Sequence, residues 1–89
     1  MAEKISWTLK AQADRKRILL YWINRNGSDA YSRKLNNLFI EAVRLIGEFP
    51  QMGKRTDDGK ARLKIVRDYF IVYEESEKGI VVLRIWDYR

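Results

Sequence analysis

The stretch Ala61–Arg89, ARLKIVRDYFIVYEESEKGIVVLRIWDYR, decides the fold, because it reads as three apolar-rich strands joined by two short turns. Side chains alternate between the faces of a strand, so Leu63 and Ile65 fall on one face of the first strand and Arg62 and Lys64 on the other. Arg67-Asp68 is a turn candidate. Tyr69–Glu74 (YFIVYE) is dense in aromatic and β-branched residues, which suit a pleated surface, and Glu75–Gly79 (ESEKG) supplies the next turn. In Ile80–Trp86 (IVVLRIW), Val81, Leu83 and Ile85 share one face and Val82, Arg84 and Trp86 the other. The expected sheet has one apolar face under helices and one open face of cations and aromatics, where function is expected.

Working outward, Lys4–Leu9 alternates Ile5, Trp7 and Leu9 against Lys4, Ser6 and Thr8, the pattern of a half-buried strand. From Ala11 the period changes to a helical one, with Ala11, Ile18, Leu19, Trp22 and Ile23 as an apolar stripe, Asp14 early, and Lys/Arg along the exposed side. Asn26-Gly27 stops this helix. Ser28 or Asp29 is the N-cap candidate of a second helix, in which Leu35, Leu38, Phe39, Ala42, Leu45, Ile46 and Phe49 recur at three- and four-residue steps before Pro50. Gln51–Lys60 (QMGKRTDDGK) reads as a loop. The reading is a single α+β domain over residues 1–89: an N-terminal strand, a helical hairpin, then a three-stranded antiparallel meander, with the helices on one sheet face. Trp7, Trp22 and Phe39 are assigned to the core.

Composition narrows the chemistry. The chain has 89 residues, 46% hydrophobic and 34% charged, which is globular and enough for one core. It has no cysteine and no histidine, which excludes disulfides, zinc sites built on those residues, Ser-His-Asp triads and Cys-His dyads. No cofactor and no metal site is expected. Adjacent Asp57-Asp58 in a glycine-bounded loop read as turn residues rather than a metal pair. Eighteen Lys+Arg against twelve Asp+Glu give a net charge of +6, a balance that favours acidic or polyanionic partners. No apolar run approaches a membrane span and residues 1–10 lack an apolar signal core, so a cytoplasmic protein without membrane contact is expected.

The helical hairpin ending in EFPQMG, the basic strand after it, Tyr69 with Tyr73 in YFIVYE, and the closing IVVLRIWDYR together resemble the RelE/ParE superfamily of bacterial toxins over nearly the whole chain. The resemblance implies the toxin half of a type II toxin–antitoxin module, with an acidic antitoxin as partner. RelE-like members are ribosome-dependent mRNA endonucleases, whereas ParE-like members poison DNA gyrase. On the nuclease pattern, Arg62 and Lys64 match the basic pair of the first meander strand, and Arg89 the arginine after the last strand. Phe70 stands where those nucleases carry an arginine. A catalytic tyrosine or histidine further along would lie past Arg89, and Tyr88 is the nearest phenol.

RNA cleavage by internal attack requires deprotonation of the 2′-OH, stabilisation of the phosphorane and protonation of the leaving oxygen. Arginine forks match phosphate oxygens, so Arg62, Arg84 and Arg89 with Lys64 are candidates to hold a scissile phosphate. Lys64, Tyr88 and Arg89 are the catalytic candidates, Lys64 or Tyr88 taking the proton-transfer role by elimination. Trp86 is a candidate for base stacking or for packing, and Lys54-Arg55 for phosphate steering or as plain loop charge. Arg84 has a competing assignment, pairing with Glu74 across the sheet. The expectation is therefore an mRNA endonuclease acting on the ribosome, with a DNA gyrase poison or an antitoxin-binding remnant as the alternatives.

Overall fold

The computed structural model describes residues 4–88. The chain runs β1 (Ile5–Trp7), α1 (Leu9–Asn26), α2 (Ala30–Glu48), β2 (Lys54–Arg55), β3 (Arg62–Val66), β4 (Tyr69–Ser76) and β5 (Gly79–Asp87). The five strands form one sheet in the order β1-β5-β4-β3-β2, antiparallel except for β1, which lies parallel to β5. The expected α+β architecture is present, with differences in detail. The loop Gln51–Lys60 contains the short edge strand β2, too brief to show a periodic pattern, which pairs Lys54 with Leu63 and Arg55 with Arg62. The second turn narrows to Glu77 and Lys78, because Ser76 and Gly79 pair directly and Ser76 Oγ accepts from the Lys78 amide.

The first strand is shorter than its alternation suggests. Thr8 stops it: its amide donates to Val82 O (3.0 Å), and its hydroxyl accepts from the Ala11 amide (3.0 Å) as an N-cap while donating to Leu83 O (2.8 Å). Leu9 therefore opens α1 instead of ending β1, and it is exposed. The helix ends at Gly27, whose φ of 69° lets its amide reach Ile23 O. At the start of α2, Asp29 holds the cap position without a side-chain cap bond, and Ser32 Oγ instead donates to Leu19 O across the hairpin (2.9 Å).

Both helices pack on the same side of the sheet, α1 against β5 and α2 against β3 and β5. Ala11 and Ile18 of α1, Leu35, Phe39, Val43 and Ile46 of α2, and Ile71, Tyr73, Ile80, Val82 and Ile85 of the sheet form one core. Each large apolar side chain removed from water there contributes about 1.5–3 kcal/mol before conformational entropy is counted. Phe39 is in this core, whereas Trp7 and Trp22 pack against it only partly buried. Phe49, assigned by period to the apolar face of α2, is exposed because the helix has ended at Glu48. Among the described residues no helix is long and apolar enough to cross a membrane.

Candidate functional site

Residues directly opposite in a ladder project from the same face. Tyr69, Ile71 and Tyr73 of β4 point into the core, and their partners on β3 are Val66, Lys64 and Arg62. Arg62 and Lys64 therefore lie on the helix-covered side, and the open side carries Leu63 and Ile65 of β3, Phe70, Val72 and Glu74 of β4, and Trp86 of β5, with Lys54 of β2 opposite Leu63 and Arg84 of β5 opposite Val72. This reverses the expected arrangement. The cause is the tight turn at Arg67-Asp68, with Arg67 at φ 56°, which places Val66 opposite Tyr69 and locks the parity of β3 to that of β4. The part of the open face around Ile65, Phe70 and Trp86 is thus apolar and aromatic, with Ile65 54% and Trp86 46% exposed. Tyr88 extends it, its ring 4.8 Å from that of Phe70 and its amide bonded to Asp68 O.

A β-bulge breaks the alternation of β5. Val72 pairs with Arg84 but Tyr73 with Val82, leaving Leu83 as the extra residue. Val82 and Ile85 both end up buried, and Trp86 does not share the face of Val82. Asp14, buried in the second turn of α1, takes up the groups freed beside the bulge. Its Oδ2 accepts from the Ile85 amide (3.0 Å) and from Arg84 Nε (2.7 Å), and its Oδ1 from Arg84 Nη2 (3.1 Å) and Arg17 Nη1 (3.1 Å). Burial opposes the Asp14 charge, and these donors more than offset it, so its carboxyl titrates below the usual aspartate value. The Asp14 pairing raises Arg84 in turn. Arg84 pairs with Asp14, not with Glu74.

Arg62 is also engaged by the chain itself. Its Nη1 donates to Gly53 O (2.8 Å) and Gln51 O (3.2 Å). Tyr73 completes the clamp, its hydroxyl donating to Pro50 O (2.7 Å) and accepting from the Gly53 amide (2.9 Å). The EFPQMG segment is held by these four bonds. Lys54 and Arg55 stand exposed on the edge strand β2. Lys64 is half-buried on the helix side while Tyr88 rests on the open side, so the two proton-transfer candidates are not brought together. Arg89 lies outside the described residues. No cluster of acidic side chains able to hold a metal ion occurs among the described residues.

The family model described as the ParE toxin of type II toxin–antitoxin system, parDE, matches residues 5–89. The chain belongs to the ParE toxin family. A solved structure described as the chromosomal ParDE TA system from P. aeruginosa shares the fold of this ParE-family chain, with a TM-score of 0.85 and 21% identity over 99% of this chain and 98% of that one. Among curated proteins no match was found. Two residues central to the ParE-family structure here, Asp14 and Tyr73, were not singled out as partners from the sequence. Asp14 did carry a signal: it falls between Ala11 and Ile18 at helical spacing, a lone carboxylate in an apolar stripe.

Proposed function

We propose that this ParE-family chain is the toxin of a type II toxin–antitoxin module that acts by binding and poisoning DNA gyrase in the cytoplasm, and that a cognate acidic antitoxin neutralises it. One observation carries the choice of target: the register that turns Leu63, Ile65, Phe70 and Trp86 outward and Arg62 and Lys64 inward. A nuclease needs cations converging on one phosphate with a proton donor in reach. Here Arg84 is bound to Asp14 and Arg62 to backbone carbonyls, and Lys64 and Tyr88 occupy opposite sides of the sheet. An aromatic-rich apolar patch bordered by charged residues such as Lys54 and Glu74 has the composition of a protein-binding core and its polar rim.

The test is a supercoiling assay with purified gyrase and relaxed plasmid, followed by denaturation to reveal trapped cleavage complexes. Loss of supercoiling with accumulation of linear DNA is expected, and both should disappear when the antitoxin is added. Unimpaired gyrase, together with new mRNA 5′ ends at ribosome-occupied codons after induction, would instead establish the ribosome-dependent nuclease.

A further inference from the structure

We infer that the cleft between α1 and the C-terminal end of β5 is a binding site for a guanine base, carried by a free nucleotide or left unpaired in a nucleic-acid strand. The cleft has a volume of about 300 Å³, room for a base with its sugar, and Arg17, Ile18, Tyr21, Tyr69 and Asp87 line it. Two walls supply these groups. Arg17 and Tyr21 stand four residues apart, on one line of the helix. Asp87 is opposite Tyr69 in the ladder, and Tyr69 points into the core, so the carboxylate rises from the helix-covered side of the sheet. The cleft thus has a guanidinium on one wall, a carboxylate on the other and a phenol ring on each.

The chain itself braces these groups. Arg17 Nη1 donates to Asp14 Oδ1 (3.1 Å), which orients the fork and occupies one of its five N–H groups. The Tyr21 ring lies edge-on to that of Trp22, with centroids 5.1 Å apart, and Trp22 Nε1 donates to Tyr69 Oη (2.8 Å). One indole therefore steadies both phenols. Tyr69 is buried, whereas Tyr21 is 49% exposed and keeps ring surface for stacking.

The lining selects the ligand. An inorganic anion would meet the Asp87 carboxylate, a simple cation would meet the Arg17 guanidinium, and an apolar ligand would leave both charges unanswered. A flat ring with two adjacent donors on one edge and two acceptors on the next answers every group. Guanine has that pattern: its N1–H and N2 amino group match one carboxylate, and its O6 and N7 match one arginine. Adenine, cytosine and uracil lack the paired donors. Unstacked bases are held by such edge contacts together with aromatic stacking, and the net charge of +6 favours the phosphate that accompanies the base. The cleft lies on the helix side and the Ile65, Phe70 and Trp86 patch on the other side of the sheet, so the inference does not rest on gyrase being the target.

The experiment is an amide chemical-shift titration of the isotopically labelled chain with GMP and, in parallel, with AMP, CMP, UMP and IMP, which share its phosphate. IMP keeps O6, N7 and N1–H and lacks only the N2 amino group. Saturable shifts at the residues lining the cleft are expected with GMP, and IMP should bind about tenfold more weakly. Asp87→Asn should erase that difference, and Arg17→Gln should weaken GMP and IMP alike. Both side chains are exposed, so both variants should keep the parent Tm. A single-stranded oligothymidylate containing one guanine, read against the same strand without it, separates the sources. Guanine-dependent binding tighter than that of GMP assigns the site to a strand, and binding no tighter assigns it to the free nucleotide. Equal shifts with all five nucleotides, equal binding of GMP and IMP, shifts outside the cleft, or none at all would each overturn the assignment.

Discussion

Asp14 and Arg84 stand 70 residues apart in sequence and meet as a two-pronged pair, Nε to Oδ2 at 2.7 Å and Nη2 to Oδ1 at 3.1 Å. The pair fastens α1 to β5 where the sheet ladder is interrupted, and its carboxylate also satisfies the Ile85 amide. Replacing Asp14 by Ala removes the acceptor of four hydrogen bonds at once and should lower stability by on the order of 3 kcal/mol in urea unfolding. Arg84→Ala should destabilise in the same direction, and the double variant should lose less than the two single losses added, since each single change leaves a partner stranded.

The same carboxylate sets an acid limit. A group whose native pKa is depressed contributes stability that is complete above its unfolded pKa, about 3.9 for aspartate, and is lost as the pH falls through the native value. Thermal scans should therefore show stability falling below about pH 4, and Asp14→Asn should flatten that limb.

Tyr73 sets a limit at the other end. Burial raises its phenol above the ordinary value, against the lowering effects of the Gly53 amide and Arg62. A raised phenol adds stability that is present below its unfolded pKa of about 10 and is lost as the pH climbs through the native value. Tyr73→Phe should remove this alkaline dependence, and at neutral pH it should cost about 1–3 kcal/mol by leaving the Gly53 amide and Pro50 carbonyl unpaired.

Gly53 is required for space. A Cβ there would lie 2.6 Å from Tyr73 Oη and 2.9 Å from Leu63 O, so Gly53→Ala must displace either the clamp or the ladder. It should cost about 1–3 kcal/mol and make the segment 51–53 sensitive to limited proteolysis. Arg62→Ala should expose the same segment, and Arg62→Lys should restore protection only in part, because the lysine ammonium ends short of the Nη1 position from which both bonds are made.

On the open face, Ile65→Lys and Trp86→Ser should abolish growth arrest while leaving Tm unchanged or slightly raised, since both side chains are half in water already. Gyrase inhibition should weaken about thirtyfold or more for Trp86→Ser, the effect of losing one central aromatic anchor. Undiminished inhibition by both variants would place the target contact elsewhere.

The strands and helices of this chain were legible because their periods are strong: α2 repeats at three- and four-residue steps, and YFIVYE can hardly be anything but a strand. The orientation of β3 was not. RLKIV alternates cleanly, and in isolation Leu63 and Ile65 belong inside. Yet β4 is apolar on both faces, Phe70 and Val72 as much as Ile71 and Tyr73, so nothing local to β4 says which set must be buried. The decision comes from the helices, which cover the Tyr69, Ile71 and Tyr73 side, and the tight turn then carries β3 along with it. The bulge at Leu83 is equally silent in sequence, because Val82, Leu83 and Ile85 are interchangeable as apolar letters. That Arg62 is tied to backbone carbonyls and Arg84 to one buried aspartate is a tertiary fact that no charge pattern records.

The pairing of β1 with β5 joins Ile5–Trp7 to Ile80–Val82, across both helices and the rest of the sheet. During synthesis the first strand emerges before the strand it pairs with and waits without a neighbour while α1, α2 and the other three strands are made. The parallel edge of the sheet can close only after β5 has followed them, which makes the joining of β1 a late event in folding.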